Sequence, residues 1–368
     1  MAGRRRLRLA RLTGLVTVLF AVGVAVAPRP AEVIERVYAA RVYPALQAAV
    51  TGLSNAVPFA LFDVVLVMAI AGGIWLWTRA ALRARRARAV SPLVGAAGMT
   101  AVVVAAGYLW FVAIWGLNYA RPPLDVRLGL PEAPATAEEV AALLSRAVDE
   151  TNNLYPRAHT EDGYGPDRAE AGIARALHAV EARHGRPRPT VPGRPKATLL
   201  GPYFRMAGVD GLTAPAALET LLNPDLTDYE RPFVLAHEWA HLAGYAAEAD
   251  ASFVAWLATM EEGTRARSRY SSWLFMVMET AAQVPLDPRR DALARLDEGP
   301  RRDLEAIAAR SRQRIDLVQR VGWRVYDSYL RSQGVREGIV SYSRVVDLVV
   351  RASRSQPRGQ APLTPVPQ

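Results

Sequence analysis

The sequence predicts a mostly α-helical protein, with three N-terminal transmembrane helices followed by an α-rich (α+β) domain that carries a small β element. Three observations predict it. Three apolar runs long enough to cross a bilayer fall within the first 117 of 368 residues. The whole net charge of +10 lies in residues 1–90, where 13 Arg face three acidic groups; the rest of the chain holds 32 basic and 32 acidic groups. Beyond residue 118, apolar residues recur at helical spacing, apart from one stretch of shorter pieces broken by Gly and Pro. Cys is absent, which excludes disulfides, a thiol nucleophile and a cysteine zinc ribbon. The charge-neutral C-terminal part gives no support to nucleic-acid binding, so no nucleic-acid partner is expected.

Taken in order, Arg4, Arg5, Arg6, Arg8 and Arg11 flank the first apolar segment, residues 9–27. Ala25-Val26-Ala27 at its end fits a signal-peptide cleavage triplet, but Pro28 follows directly, and an uncleaved helix is preferred. Residues 28–56 are taken as a loop, with Arg29, Arg36 and Arg41 offset by Glu32 and Glu35. The second span covers residues 57–77; Asp63 lies near its start, where a carboxylate can reach the interface. Arg79, Arg83, Arg85, Arg86 and Arg88 then mark a short cytoplasmic loop, and residues 93–117 span back. Trp75, Trp77, Trp110, Trp115 and Tyr119 suit interfacial positions. The expected topology is a multi-pass protein of the cytoplasmic membrane, with residues 1–117 in the bilayer and residues 118–352 on the extracytoplasmic side.

In the second part, Thr136-Ala137-Glu138-Glu139 forms a capping box ahead of a helix at residues 140–152. Residues 166–184 predict a further helix, and residues 185–195 a Pro- and Gly-rich loop. His159, His178 and His184 lack ligand spacing and are read as structural or surface residues. Residues 196–222 resemble strands, with residues 218–222 expected at the sheet edge. Thr227-Asp228-Tyr229-Glu230 is a second capping box, before the most informative stretch of the chain. Helices follow at residues 273–284, which are too few to span, and at 301–329, with another apolar-faced piece at 345–350. Residues 353–368 are rich in Pro, Ser and Gln and are expected to be a disordered tail.

That stretch contains His237-Glu238-Trp239-Ala240-His241. On a helix, His237 and His241 project from one face a turn apart, where two imidazoles can hold one Zn²⁺ and leave room for a third ligand and a water. Glu238 sits beside that water as the candidate general base. The plainer alternative is an amphipathic core helix with two partly buried histidines. If the helix ran on unbroken, Glu248 would lie about 10 Å along the axis from His241, at ~1.5 Å per residue, too far for a zinc–carboxylate bond of ~2 Å. Gly244 can take the left-handed conformation that turns the chain back, so that Glu248 begins a second helix ending near Met260. Glu248 is the favoured third metal ligand, with Ser252 as its supporting neighbour, and Asp250 is the rival.

These residues together resemble a family of uncharacterised bacterial membrane proteins, domain-of-unknown-function family 3810, over most of the chain. Trp115-Gly116-Leu117-Asn118-Tyr119-Ala120-Arg121-Pro122-Pro123 is similar to its junction block after the third span, residues 237–253 to its active-site block, and Arg269-Tyr270-Ser271 and Gly338-Ile339-Val340-Ser341-Tyr342 to its downstream blocks. The chain departs from the family pattern at Leu242, where Gln is usual, and at Ser252, where Asn is usual. The resemblance implies a zincin-like domain with a gluzincin-type site. The expected function is therefore a membrane-anchored zinc metallopeptidase, with peptide or protein substrates and the lipid bilayer as partners. Tyr342 is its candidate oxyanion donor, and Tyr270 and Tyr245 are the alternatives. Two further readings stay open: a zinc amidase acting on cell-wall peptides, and a non-catalytic scaffold stabilised by zinc.

Overall fold

The computed structural model describes residues 2–161, 166–186, 188–332 and 344–354. It is mostly helical, with one three-stranded sheet. Two helices, Leu61–Ala87 and Ser91–Ile114, are long and apolar enough to cross a membrane. Arg11–Val26 and Ala31–Asn55 pass the same test only as a pair, and they are bent by 110°. Pro28 and Pro30 sit at that break, where neither ring permits a continuous helix. The arginine run expected as a loop is instead the last turns of the Leu61–Ala87 helix, which ends at Arg88 in a left-handed conformation.

Residues 28–56 are therefore not a loop. Ala31–Asn55 is helical throughout, with a π-helical stretch at Ile34–Val42. One face docks on the second part of the molecule: Tyr43, Gln47, Thr51 and Ser54 are all buried. The periodicity went unread because this face is polar, whereas a helix packed on a core normally turns apolar residues inward.

Asp63 does not merely reach an interface. Its carboxylate accepts from Thr198 Oγ1 at 2.6 Å and from Leu199 N at 2.8 Å, tying the first turn of the long apolar helix to the loop beyond the first strand. Nearby, Glu219 accepts from Leu61 N at 2.9 Å and Phe62 N at 2.8 Å, so a strand carboxylate satisfies the free N–H groups that open this helix. Lys196, also buried, donates to the same carboxylate at 2.6 Å.

The sheet has the order β1 (Pro195–Lys196), β3 (Glu219–Leu222), β2 (Gly211–Ala214), with β3 parallel to β1 and antiparallel to β2. The segment expected at the edge is thus the central strand. All four β3 residues are buried, as a strand covered on both faces requires, and its apolar run signals the middle of a sheet. The strand lying along the motif helix is β2. A short helix, Gly201–Ala207, interrupts the region expected to be strands throughout.

The Thr136 box forms reciprocally and starts a helix at Ala137–Thr160. This helix packs along Ala266–Ala281. The Thr227 box also closes, with Thr227 N to Glu230 Oε2 at 2.9 Å and Glu230 N to Thr227 Oγ1 at 3.3 Å, and the motif helix starts one residue later at Arg231. The single helix expected at 301–329 is two, Glu298–Ser311 and Asp316–Ser332. The helix Arg344–Arg354 runs two residues into the expected tail, because Arg354 pairs with Glu139 of the first capping box. The core gathers around the motif helix and its successor, Glu248–Met260, where Trp256 meets Trp273 edge-on at 4.6 Å.

Candidate metal centre

The motif helix, Arg231–Leu242, presents His237 and His241 with ring centroids 4.6 Å apart. It ends in a Schellman motif: Gly244 N donates to His241 O at 2.7 Å and Tyr245 N to Ala240 O at 3.2 Å, with Gly244 at φ +84°. Any Cβ at this position would lie 3.0 Å from Asn118 Oδ1 and from Tyr43 Cε1, so both the conformation and the space demand glycine. The chain turns back and the second helix opens on Glu248. Glu248 Oε2 lies 3.1 Å from His237 Nε2 and 3.4 Å from His241 Nε2. The ligand atoms of these three residues all lie within 4.8 Å of one another.

Both imidazoles are oriented through their other nitrogen. His241 Nδ1 is 2.7 Å from the Tyr245 carbonyl, which can only accept, so the proton sits on Nδ1 and Nε2 is directed at Glu248. Ser252 Oγ lies 3.1 Å from His237 Nδ1. Ser252 thus orients an imidazole of the cluster. Asp250 turns away, towards Arg127 at 3.8 Å. Burial raises its pKa to about 6 against the pull of Arg127.

Glu238 is buried, with Oε2 2.8 Å from Thr213 Oγ1 on β2. Gly211, at the start of β2, lets the strand come close; a Cβ there would stand 2.5 Å from Glu238 Oε1. Burial raises the Glu238 pKa, with His237, His241 and Thr213 acting in the opposite sense. Burial also acts to raise that of Glu248, but the two imidazoles outweigh it and hold the carboxyl well below its usual range. For His241, burial alone would lower the pKa, and the Glu248 carboxylate instead lifts it to about 9.

The carbonyls left free at the end of the motif helix are met from outside. Tyr43 OH donates to Leu242 O at 2.9 Å, Arg186 to Ala243 O, and Arg121 Nη1 to Gly244 O at 2.9 Å. Two cations at a helix C-terminus also oppose its dipole favourably. Arg121 in turn grips Glu35 through Nε at 2.7 Å and Nη2 at 2.8 Å. Trp115 sets its ring edge-on to His241, 6.0 Å between centroids. Trp115 and Arg121, from the Trp115–Pro123 block singled out in the sequence, therefore brace the bend. Their role, like those of Tyr43, Thr213 and Gly211, was not read from the sequence; the block itself was the available signal.

At the far end of the motif helix, Arg310 pairs with Glu230 and, at 2.8 Å, with Asp210 just before β2, locking helix and strand start together. Tyr270 is engaged with other residues: its hydroxyl donates to Asp303 at 2.5 Å, and its ring packs against His159. Tyr245 contributes its carbonyl to the centre, while its ring lies under Arg121 and Arg127. Tyr342 lies outside the described residues. His159 and His178 bond to the carbonyls of Tyr155 and Thr190, as structural histidines do.

The three residues could hold a metal ion. A tetrahedral ion with bonds of ~2.0–2.1 Å spaces its ligands roughly 3.4 Å apart, and the carboxylate oxygen already stands at 3.1 and 3.4 Å from the two imidazole nitrogens. A family model described as Protein of unknown function (DUF3810) matches residues 38–350. No curated protein and no solved structure matches the chain.

Proposed function

The chain belongs to the family described as Protein of unknown function (DUF3810), and from that premise and the geometry of the centre we propose that it is a membrane-anchored zinc metallopeptidase. One observation carries the reading. Two imidazole Nε2 atoms and one carboxylate oxygen converge, each imidazole oriented through its Nδ1, beside a buried glutamate that Thr213 holds. His237, His241 and Glu248 would hold the ion, and three protein ligands is the number that a catalytic zinc site uses. Zinc bound there supplies Lewis acidity and brings the pKa of a coordinated water to about 7.

Glu238 takes the proton of the attacking water and passes it to the leaving amine. Thr213 Oγ1, 2.8 Å from Glu238 Oε2, holds the carboxylate in place for that transfer. Strand β2 supports peptide recognition: it borders Glu238 and pairs only with β3 among the described residues, so an extended substrate can add to its outer side. For the oxyanion, the candidate donor of this reading is Tyr342, through the resemblance of residues 338–342 to the family's downstream block. The basic clusters support an extracytoplasmic domain. Arg79, Arg83, Arg85 and Arg86 lie at the end of the Leu61–Ala87 helix opposite Leu61 and Phe62, which touch the sheet.

The test is metal content beside turnover in purified protein. Glu238→Gln is expected to retain zinc and to lose about 10²–10⁴-fold in the rate of peptide hydrolysis, read by metal analysis and by mass spectrometry of cleaved peptides. Unchanged hydrolysis in that variant rejects the mechanism.

A further inference from the structure

We propose that the helix Ala31–Asn55 lies flat in the membrane–water interface with lipid covering its outer face, and that it holds the metal centre at the bilayer surface, where it acts on polypeptide segments next to a membrane anchor. The second half rests on the peptidase reading above; the first half does not.

The second half of the helix, Tyr43–Asn55, is amphipathic in reverse. Its protein-facing side is polar: Gln47 Nε2 donates to Val191 O at 2.8 Å, Thr51 Oγ1 to Leu218 O at 3.0 Å, and Ser54 Oγ to Glu219 at 2.8 Å. Its outward side over the same turns is Ala45, Ala49, Gly52 and Leu53, with Leu53 72% exposed. No charged residue occurs from residue 42 to residue 62; in the preceding turns Glu32, Arg36 and Arg41 are exposed, on side chains long enough to reach the headgroups. A helix resting on a soluble domain turns its charged side to water. An apolar, uncharged outer face suits the boundary of a bilayer.

The direction of the helix agrees. Its axis is bent 110° from Arg11–Val26, so when that segment crosses the membrane, Ala31–Asn55 runs nearly along the surface. Its far end leads within six residues to the Leu61–Ala87 span, through an exposed Phe59. The apolar surface then continues onto the domain. Leu199, 67% exposed, is tied to Asp63 in the first turn of that span. Trp110, half-exposed on the Ser91–Ile114 span, donates to Ala216 O in the turn between β2 and β3 at 3.0 Å.

Depth follows from Trp115, the residue that caps the Ser91–Ile114 helix. The 24 residues of that helix cover about 36 Å at ~1.5 Å each, against a hydrocarbon core of ~30 Å, which puts Trp115 at headgroup level. The His241 ring is 6.0 Å from it. A polypeptide held by its own anchor meets the centre there at a raised effective concentration, whereas a free peptide must find it from bulk water.

The absence of cysteine makes the test direct. Ala49→Cys, Leu53→Cys and, as a control on a solvated helix, Glu305→Cys are labelled with bimane in the full chain, reconstituted into phosphatidylcholine–phosphatidylglycerol vesicles. Labels at 49 and 53 are expected to be quenched by lipids brominated near the headgroup and spared by aqueous iodide, and the label at 305 to behave oppositely. Quenching of 49 and 53 by iodide overturns the interfacial placement. Shielding from both quenchers means that a second copy of the chain covers the face, and overturns it as well. In the same vesicles, single-span reporters with long randomised stalks are digested and the cuts mapped by mass spectrometry. Cuts that depend on Glu238 are expected to cluster within about ten residues of the anchor, the reach of a short extended segment. An even spread along the stalk overturns the substrate class. No Glu238-dependent cutting removes the peptidase reading and the substrate half with it, while the quenching result still decides the helix.

Discussion

Glu248 and Asp250 are two residues apart, and the fold gives them opposite surroundings. Glu248 meets two imidazoles at 3.1 and 3.4 Å, and its negative charge is favoured despite burial. Asp250 is buried with an arginine only at 3.8 Å, and burial raises its pKa to about 6. The difference is one of helix phase: residues two apart stand about 200° apart around the axis and cannot face the same ion. Glu248→Ala is therefore expected to lower zinc stoichiometry well below that of Asp250→Ala, measured by metal analysis of the two purified variants. The reverse order would assign the third ligand to Asp250. Glu238 shows the same dependence on close neighbours, because its position relies on a hydroxyl from Thr213 and on the missing side chain of Gly211.

At the scale of elements, the centre depends on the angle between two helices, and that angle depends on one residue. Gly244 adopts φ +84° against Asn118 and Tyr43, while the carbonyls around it accept from Tyr43, Arg186 and Arg121. Gly244→Ala meets both the left-handed penalty of ~1–2 kcal/mol and a contact that must give way. It is expected to lower the unfolding free energy by at least about 1 kcal/mol and to weaken zinc binding, read by denaturant titration and by metal titration of the same preparation. Wild-type zinc affinity in this variant would show that the bend does not set the ligand geometry.

Across the whole molecule, the two parts share an apolar core, in which Tyr38, Tyr43, Ile114 and Trp115 pack with Trp239 and Leu242, and buried polar ties add to it. Lys196, Ser54, Leu61 and Phe62 all bond to the Glu219 carboxylate, linking the sheet, the Ala31–Asn55 helix and the long apolar helix at one point. Burial works to raise the Glu219 pKa, yet Lys196 and the two N–H groups carry it below its usual value. A carboxyl with a folded pKa below its unfolded one contributes stability that is present above about pH 4.5 and is lost as pH falls through the folded pKa. Glu219→Ala leaves a buried ammonium without its counter-charge. It is expected to cost about 3–5 kcal/mol at neutral pH and to flatten the loss of stability on acidification, measured by unfolding of the full chain in detergent at several pH values. An unchanged acid profile would place the pH-sensitive tie elsewhere.

The parts of this protein that depend on sequence neighbours were legible without coordinates. The two imidazoles one turn apart, the glycine bend, the helix that opens on Glu248 and closes at Met260, both capping boxes and two long apolar helices all follow from local backbone preferences and spacing. What only the tertiary structure decided are contacts between distant segments. Residues 31–55 hid their helix because its buried face is polar, and that polarity makes sense only once Val191, Leu218 and Glu219 stand opposite it. The same holds for Thr213 at Glu238, Ser252 at His237, and Trp115 and Arg121 at the bend. Local preference shapes an element, but a donor or a packing edge acquires its partner only when the chain brings remote residues within a few ångströms.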